Sequence, residues 1–309
     1  MNYTLHQLKV FAAVAEYQSN TKSAEARLLT QPAVSIQLKH FQNQFKIPLT
    51  EVVSRQLYLT DFGQEIAEAC ENILNEVDEI NSKVLSFQGQ ISGKLKVSVV
   101  STGKYIMPYF LNDFLKLHPG IELQMDVTNK AEVVESLVNN EVDFSLISVM
   151  PDQLQLNSVP LMENKLMLVG SRLHELKTNQ VYRPKILERI ELISREKGSG
   201  TRETTGVFLA KEKLQVRRKL ELKSNEAVKQ AVIAGLGYSI MPLIGIKYEL
   251  SLGDLDIIPV KKLPIKSMWL LFWGKNKIHG PAAKEFAQHI AMHKDKIIHE
   301  HFSWYEQYD

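Results

Sequence analysis

The stretch "TQPAVSIQLKHFQNQF", residues 30–45, decides the reading of the N-terminal fold. As a helix it aligns Val34, Leu38, Phe41 and Phe45 at i, i+4, i+7 and i+11 into one apolar stripe. Pro32 suits the first turn, where its fixed φ and missing N–H cost nothing. Ile36 falls on the opposite side with Pro32, Ala33, Ser35, Lys39 and Asn43, so a β-branched hydrophobe occupies a face that should be wet. Upstream, Leu5, Leu8, Ala12 and Ala15 recur at helical spacing, "QSN" (18–20) interrupts them, and Thr21–Arg27 reads as a second, short helix before "LLT" (28–30) turns the chain. Helix, short helix, tight turn, helix is the order of a helix-turn-helix, whose second helix enters the DNA major groove N-terminal residues first. Downstream, "KIPLTEVVSRQLYLT" (46–60) alternates apolar and polar residues around Pro48 and reads as a two-stranded wing.

From Phe62 to Phe87 the apolar positions 62, 66, 69, 73, 77, 80, 84 and 87 form one narrow seam on an otherwise polar helix. A helix of about 26 residues, roughly 39 Å long, needs a partner for that stripe, and a second copy of itself is the expected one. "GQISG" (89–93) ends it. The remainder alternates strand and helix: "KLKVSVV" (94–100), a helix over Tyr105–Leu117, "IELQMDV" (121–127), a helix over Lys130–Asn139, then "VDFSLIS" (142–148). Such alternation predicts an α/β fold with a mostly parallel sheet. "TNKAEVVESLVNNEVDFSLI" (128–147) is echoed in layout by "SNEAVKQAVIAGLGYSIM" (224–241), which suggests two related halves with a cleft between them. The strand "SMWLLFWG" (267–274) and a helix from Pro281 are expected to return to the first half.

Composition bounds the alternatives. With 309 residues, 44% hydrophobic and 23% charged, the chain is an ordinary globular protein of two or three packed units. A net charge of +2 announces no nucleic-acid partner in bulk, so that reading must rest on where the charges sit. The start "MNYTLHQLKVFAAVAEYQ" lacks the layout of a signal peptide and no apolar run is long enough to span a membrane, so a cytoplasmic protein with no membrane partner is expected. One cysteine, Cys70, excludes an internal disulfide and any multi-cysteine metal site.

"LHQLKVFAAVAE" (5–16), "SAEARLLTQPAVSIQLKHF" (23–41) and "LTDFG" (59–63), with "GKLKVSVVST" (93–102), "EKGSGTRE" (196–203) and "SNEAVKQAVIAGLGYSIMP" (224–242), together resemble the LysR-type transcriptional regulators. Within them they are most similar to the branch regulating carbon fixation, nitrogen and sulfur metabolism. The resemblance covers nearly the whole chain. It implies an α/β protein with an α-rich winged helix-turn-helix DNA-binding domain (1–61), a dimerising linker helix (62–90) and a two-lobed effector domain like a periplasmic solute-binding protein (91–309). Lobe I is expected at about 91–163 and 267–303, lobe II at about 164–266. Four residues depart from the family pattern: Asn20 and Arg27 replace an aromatic and a leucine, Lys46 a turn glycine and Thr50 a phenylalanine.

The resemblance carries base-reading roles to Gln31, Pro32, Ser35 and Lys39, and the helical wheel adds Ala33 and Ile36. Glutamine pairs an adenine edge, lysine neutralises phosphate, and an alanine or isoleucine can press on thymine C5-methyl groups, which gives the misplaced Ile36 a use. The plain alternative is a tolerated exposed hydrophobe. Arg55 in the wing would reach phosphate or the minor groove, or stay simply solvated. An effector site is expected where strands give way to helices: Ser101, Thr102 and Gly103, then Thr128 and Asn129, then Ser199, Gly200, Thr201 and Arg202. Free N–H groups at helix starts bind anions and Arg202 would clamp a carboxylate or phosphate, although each hydroxyl alone is as well an N-cap, and Asn129 with Glu132 a capping pair. His289 and His293 stand at i, i+4, but without a third fixed ligand they read as a solvated helix face rather than a metal site. The tail "FSWYEQYD" (302–309) is aromatic enough to pack on something.

The expected function is therefore a transcriptional regulator without catalytic residues, cofactor or metal. It would bind a pseudo-palindromic site in double-stranded promoter DNA as a homodimer or homotetramer and answer to a small anionic metabolite, with RNA polymerase as a candidate further partner. The rivals are a LysR-like protein with impaired sequence-specific DNA binding, a small-molecule enzyme and a transporter's solute-binding protein.

Overall fold

The computed structural model describes residues 2–54, 56–87, 91–151 and 154–308, with side chains except at 79 and 81–87. The chain divides into two compact units, 1–89 and 90–309.

In the first unit, α1 (Leu5–Tyr17) opens on a capping box: Thr4 Oγ1 accepts from Gln7 N and Gln7 Oε1 accepts from Thr4 N. α2 (Asn20–Ala26) is capped by Ser19, and its Ser23 hydroxyl donates to Ala13 O at 3.0 Å, tying it to α1. α3 (Gln31–Gln42) starts from Thr30, with Pro32 in its first turn, and buries Val34, Leu38 and Phe41 against Leu8, Phe11 and Val14. β1 (Thr50–Val53) and β2 (Gln56–Leu59) pair antiparallel as the wing. None of the four family departures breaks this order.

α4 (Asp61–Phe87) begins where Thr60 Oγ1 donates to Pro48 O and accepts from Gly63 N. A Cβ on Gly63 would lie 1.8 Å from Leu49 O, so only glycine allows the helix to pass the wing's base. Ala67 and Cys70 are buried in the helix-turn-helix core with Phe62, Ile66 and Leu74 packed against it. The first turns of α4, just past the expected boundary at 61/62, therefore pack on α1 within this unit. Cys70 is structural: burial pushes its thiol up to about 11. Further along, Ile73 and Ile80 of the seam stand exposed. The seam side chains of Val84 and Phe87 lie outside the described residues.

The second unit continues with β3 (Ser92–Val100), a 3₁₀ turn (Gly103–Tyr105), α5 (Met107–Leu117), β4 (Gly120–Thr128), α6 (Lys130–Val138), β5 (Phe144–Ile147) and β6 (Leu156–Ser171). β7 (Glu191–Arg195), α7 (Gly200–Lys211), β8 (Arg217–Leu222), α8 (Asn225–Ile233), β9 (Ser239–Pro242), α9 (Lys247–Leu252) and β10 (Leu255–Ile257) follow, then β11 (Ile265–Gly274) and α10 (Pro281–Phe302).

The main sheet runs β10-β6-β11-β5-β3-β4, with β9 also on β6. β3 is parallel to β4 and β5, and β7 to β8, but β11 runs antiparallel to both β5 and β6, as do β9 and β10 to β6. The expectation of a mostly parallel sheet is thus corrected to a mixed one. β6 explains it: its first half pairs β11 beside β5, its second half joins β9 and β10, and β11 returns antiparallel along it from Ile265 to Gly274. These two long strands, β6 and β11, contain the expected lobe limits at about 163/164 and 266/267. The echoed segments share a layout, α6 capped by Asn129 before β5 and α8 capped by Ser224 before β9. α10 returns onto α5 and β3, with Phe286 against Phe114. The aromatic tail packs on its own core: Phe302 and Tyr305 are buried, Lys165 N donates to Tyr305 Oη at 2.8 Å, and Lys165 Nζ donates to Tyr305 O at 3.1 Å.

Candidate nucleic-acid interface and effector cleft

On α3 the stripe Val34, Leu38, Phe41 faces inward, which turns Gln31, Pro32, Ile36 and Lys39 to solvent and leaves Ala33 and Ser35 half-buried. Ile36 is 53% exposed on this polar face. Ser35 Oγ accepts from Gln31 Nε2 at 3.1 Å and from Asn20 Nδ2 at 3.4 Å, so the Asn20 departure reaches the recognition helix. Arg55 lies outside the described residues.

In the second unit a space of about 300 Å³ is lined by Val100, Ser101 and Thr102 after β3, Asn129 and Lys130 at the start of α6, Ile147 and Ser148 after β5, and Arg195, Ser199, Gly200 and Thr201 between β7 and α7. These are the carboxyl ends of parallel strands, where open α/β sheets leave a crevice. Six expected residues meet here: Ser101, Thr102, Asn129, Ser199, Gly200 and Thr201. Gly103, Thr128 and Arg202 do not line the space. Gly103 is buried, with room for a Cβ taken by Val99 and Leu146. Thr128 hydrogen-bonds Glu132, as does Asn129 in its capping role. Arg202 turns away, donating to Arg195 O at 2.8 Å and pairing with Glu221, whose carboxyl that hydrogen bond holds below its usual range. It borders a second space of about 380 Å³ with Arg218 and Thr205.

The cations of the cleft are instead Arg195 and Lys130, which the sequence reading missed. Arg195, 4% exposed, donates from Nε and Nη2 to Glu196 at 2.8 Å each, from Nη1 to Ser101 Oγ at 3.2 Å and from Nη2 to Lys223 O at 3.3 Å. Asn225 Nδ2 donates to the same Ser101 Oγ at 3.0 Å, so two elements of lobe II meet on one hydroxyl of lobe I. Asn225 Oδ1 is buried without a hydrogen-bond partner. Lys130 Nζ spans the lobes to Glu203 of α7 at 2.7 and 3.0 Å. Ser199 precedes α7 without a side-chain capping bond, which leaves the first N–H groups of that helix unspent by its hydroxyl.

A second tie lies beside the cleft. Tyr105 and Lys104 reach Glu226 of α8, and Lys229 pairs with Glu226 at 2.9 Å and Glu249 at 2.7 Å. Burial raises the Glu226 carboxyl, but the hydrogen bonds from Tyr105 and Lys229 outweigh it and hold the group below its usual range. Burial lowers Lys229, and Glu249 and Glu226 outweigh it in the other direction. The imidazoles of His289 and His293 sit 4.6 Å apart, with His289 buried against Phe114. Among the described residues no group of three or more His, Cys, Asp or Glu stands close enough to hold a metal ion. Nor is any described helix long and apolar enough to cross a membrane.

Two family models match the chain: the bacterial regulatory helix-turn-helix protein of the lysR family over residues 5–64, and the LysR substrate binding domain over residues 88–294. The chain belongs to the LysR family of transcriptional regulators. Among LysR relatives, it is 35% identical over 296 residues to the HTH-type transcriptional activator CmpR of Synechocystis sp., covering 96% of this chain and 97% of that one. It is 33% identical to the RuBisCO operon transcriptional regulator of Acidithiobacillus ferrooxidans, covering 93% of each. These place it in the carbon-fixation branch of the LysR regulators. The regulatory domain of Synechocystis CcmR in complex with 2-PG superposes with a TM-score of 0.62 at 32% identity, covering 64% of this chain and 96% of that domain. Full-length CbnR complexed with its target DNA shares the LysR fold at a TM-score of 0.72 and 21% identity, covering 94% of this chain and 99% of CbnR. LysR regulators bind promoter DNA and small-molecule effectors and form oligomers, and this chain has both the DNA-reading and the effector-binding domain of the family.

Proposed function

We propose that this LysR regulator reads a pseudo-palindromic promoter site as a homodimer or homotetramer and is switched by a small metabolite carrying both a phosphate and a carboxylate, of the kind of 2-phosphoglycolate. The observation that carries the effector reading is the cleft itself: Arg195, Lys130, the unspent first turn of α7 and the hydroxyls of Ser101, Thr102 and Thr201 converge on one space. That donor set suits an anion with several oxygens. CcmR, 32% identical across this domain, binds 2-PG.

In the DNA reader, Gln31, Pro32, Ser35 and Lys39 read or position base edges and phosphates, while Ala33 and Ile36 press on thymine methyl groups; Arg55 takes the wing's phosphate role. The exposed Ile73 and Ile80 of α4 join two copies and so set the spacing of the half-sites. Effector binding shifts the balance between two arrangements by binding one of them more tightly, and RNA polymerase is the downstream partner. The protein works in the cytoplasm and performs no covalent step. Among the described residues lining the cleft no histidine or cysteine stands ready to activate its hydroxyls, which disfavours an enzyme.

The test is selection of bound sequences from a random duplex pool at fixed salt, with and without 2-phosphoglycolate. A pseudo-palindromic motif whose enrichment responds to the ligand is expected. Binding that falls with salt but prefers no sequence would support an impaired reader instead.

A further inference from the structure

The cleft holds two ion pairs, and they differ in what breaking them would expose. Arg195 and Glu196 are both withdrawn from water, at 4% and 13% exposure, and the arginine is tied further to Ser101 and Lys223. A ligand that took Arg195 from Glu196 would strand a buried carboxylate. Lys130 is also largely withdrawn, at 13%, but its partner Glu203 is 48% exposed and can return to water at little cost. This pair also joins the two lobes, Lys130 from the first turn of α6 and Glu203 from the first turn of α7.

We propose that Lys130 sets the ligand selectivity of the cleft by exchanging partners: the second acidic group of a two-headed effector replaces Glu203 on Lys130 and so releases the tie between α6 and α7. A ligand with one acidic group seats at the start of α7 and leaves the tie closed. Selectivity for diacids and the opening signal are then one event, because the carboxylate displaced belongs to the helix whose N-terminus holds the ligand's other end. This rests on the anionic-effector reading above and adds to it the group that counts acidic heads.

The experiment compares the full chain with Lys130→Met and Glu203→Gln by calorimetry at fixed ionic strength, using 2-phosphoglycolate, glycolate and inorganic phosphate. Ligand-free hydrogen exchange is followed over residues 129–135 and 200–207. Glu203→Gln removes the competitor and should tighten 2-phosphoglycolate by about fivefold, the scale of a partly exposed ion pair, with little change for glycolate or phosphate. Lys130→Met should bring 2-phosphoglycolate down to the affinity of the one-headed probes while leaving theirs in place. Exchange in both segments should quicken in ligand-free Glu203→Gln, whereas 2-phosphoglycolate on the unaltered protein should slow the first amides of α7 that hold it and quicken the turn of α7 around Glu203 that it releases. Equal loss of all three probes in Lys130→Met would overturn the selectivity role, and unchanged exchange in Glu203→Gln would overturn the tie. If none of the probes binds the unaltered protein, the phosphorylated-acid reading fails, and the ligand-free exchange still decides the tie by itself.

Discussion

Ile36 is the residue at which the helical wheel and the fold agree that no core is served: it stands 53% exposed beside Ala33 and Lys39 on α3. Ile36→Ala should leave stability within about 0.5 kcal/mol and weaken a thymine preference in the selected motif. A motif identical to that of the unaltered protein would discard the methyl contact. Leu28 is a different kind of misfit. It is 95% exposed in the turn before α3 and holds a left-handed backbone at φ 53°. Asparagine tolerates that conformation better, so Leu28→Asn should raise stability by about 0.5–1 kcal/mol, read as a higher denaturation midpoint with unchanged slope. Gly63 tolerates nothing: a Cβ there collides with Leu49 O, and Gly63→Ala should cost the N-terminal unit roughly 2–3 kcal/mol in the same assay.

At the scale of elements, α4 serves two faces. One, through Ala67 and Cys70, completes the helix-turn-helix core, while Ile73 and Ile80 face out. The pair Ile73→Asp and Ile80→Asp should therefore split the oligomer into folded monomers, with a shift in sedimentation and no loss of helical signal. An unchanged sedimentation coefficient would place the interface elsewhere. The seam's spacing was readable because a narrow apolar stripe on a long polar helix has a strict period. Its division into an inner and an outer face was not, since that depends on where α1 lies across the helix. Likewise the strand-helix alternation from 94 to 148 announced α/β units, yet it carried no sign that β6 and β11 run antiparallel, because strand direction is set by the connection and not by side-chain period.

For the effector unit as a whole, acid should act in two windows. Burial lowers the imidazoles of both His279 and His289 from 6.5, so the folded chain binds fewer protons than the unfolded one just below that value. Their contribution is complete above 6.5 and is lost as pH falls through the range beneath it. Glu226, held below 4.5, contributes above that value and loses its share only as pH drops further. Lys229, raised above 10.5, keeps its contribution until pH climbs through its folded value. Thermal melts from about pH 8 to about pH 2.5 should show two successive declines, the first shallower in His289→Gln. Lys229→Met removes the cation between Glu226 and Glu249 and should cost about 2 kcal/mol near neutral pH.

What the sequence determined by itself was everything that short-range pattern controls: the helix-turn-helix order, the direction in which Ile36 points, the long seam and the strand-to-helix junctions that carry Ser101, Thr102, Asn129, Ser199, Gly200 and Thr201, the residues that line one crevice. Periodicity, caps and turn residues act within a few positions of one another, so one chain is enough to read them. The tertiary structure alone decided which cations serve that crevice. Lys130 and Arg195 are two of 37 lysines and arginines, and their partners Glu203 and Ser101 lie 73 and 94 residues away. Arg202, inside the matching motif, was drawn off by Glu221 of β8. Charge pairing at such separations follows from the order in which the strands join the sheet, and no local pattern records that order.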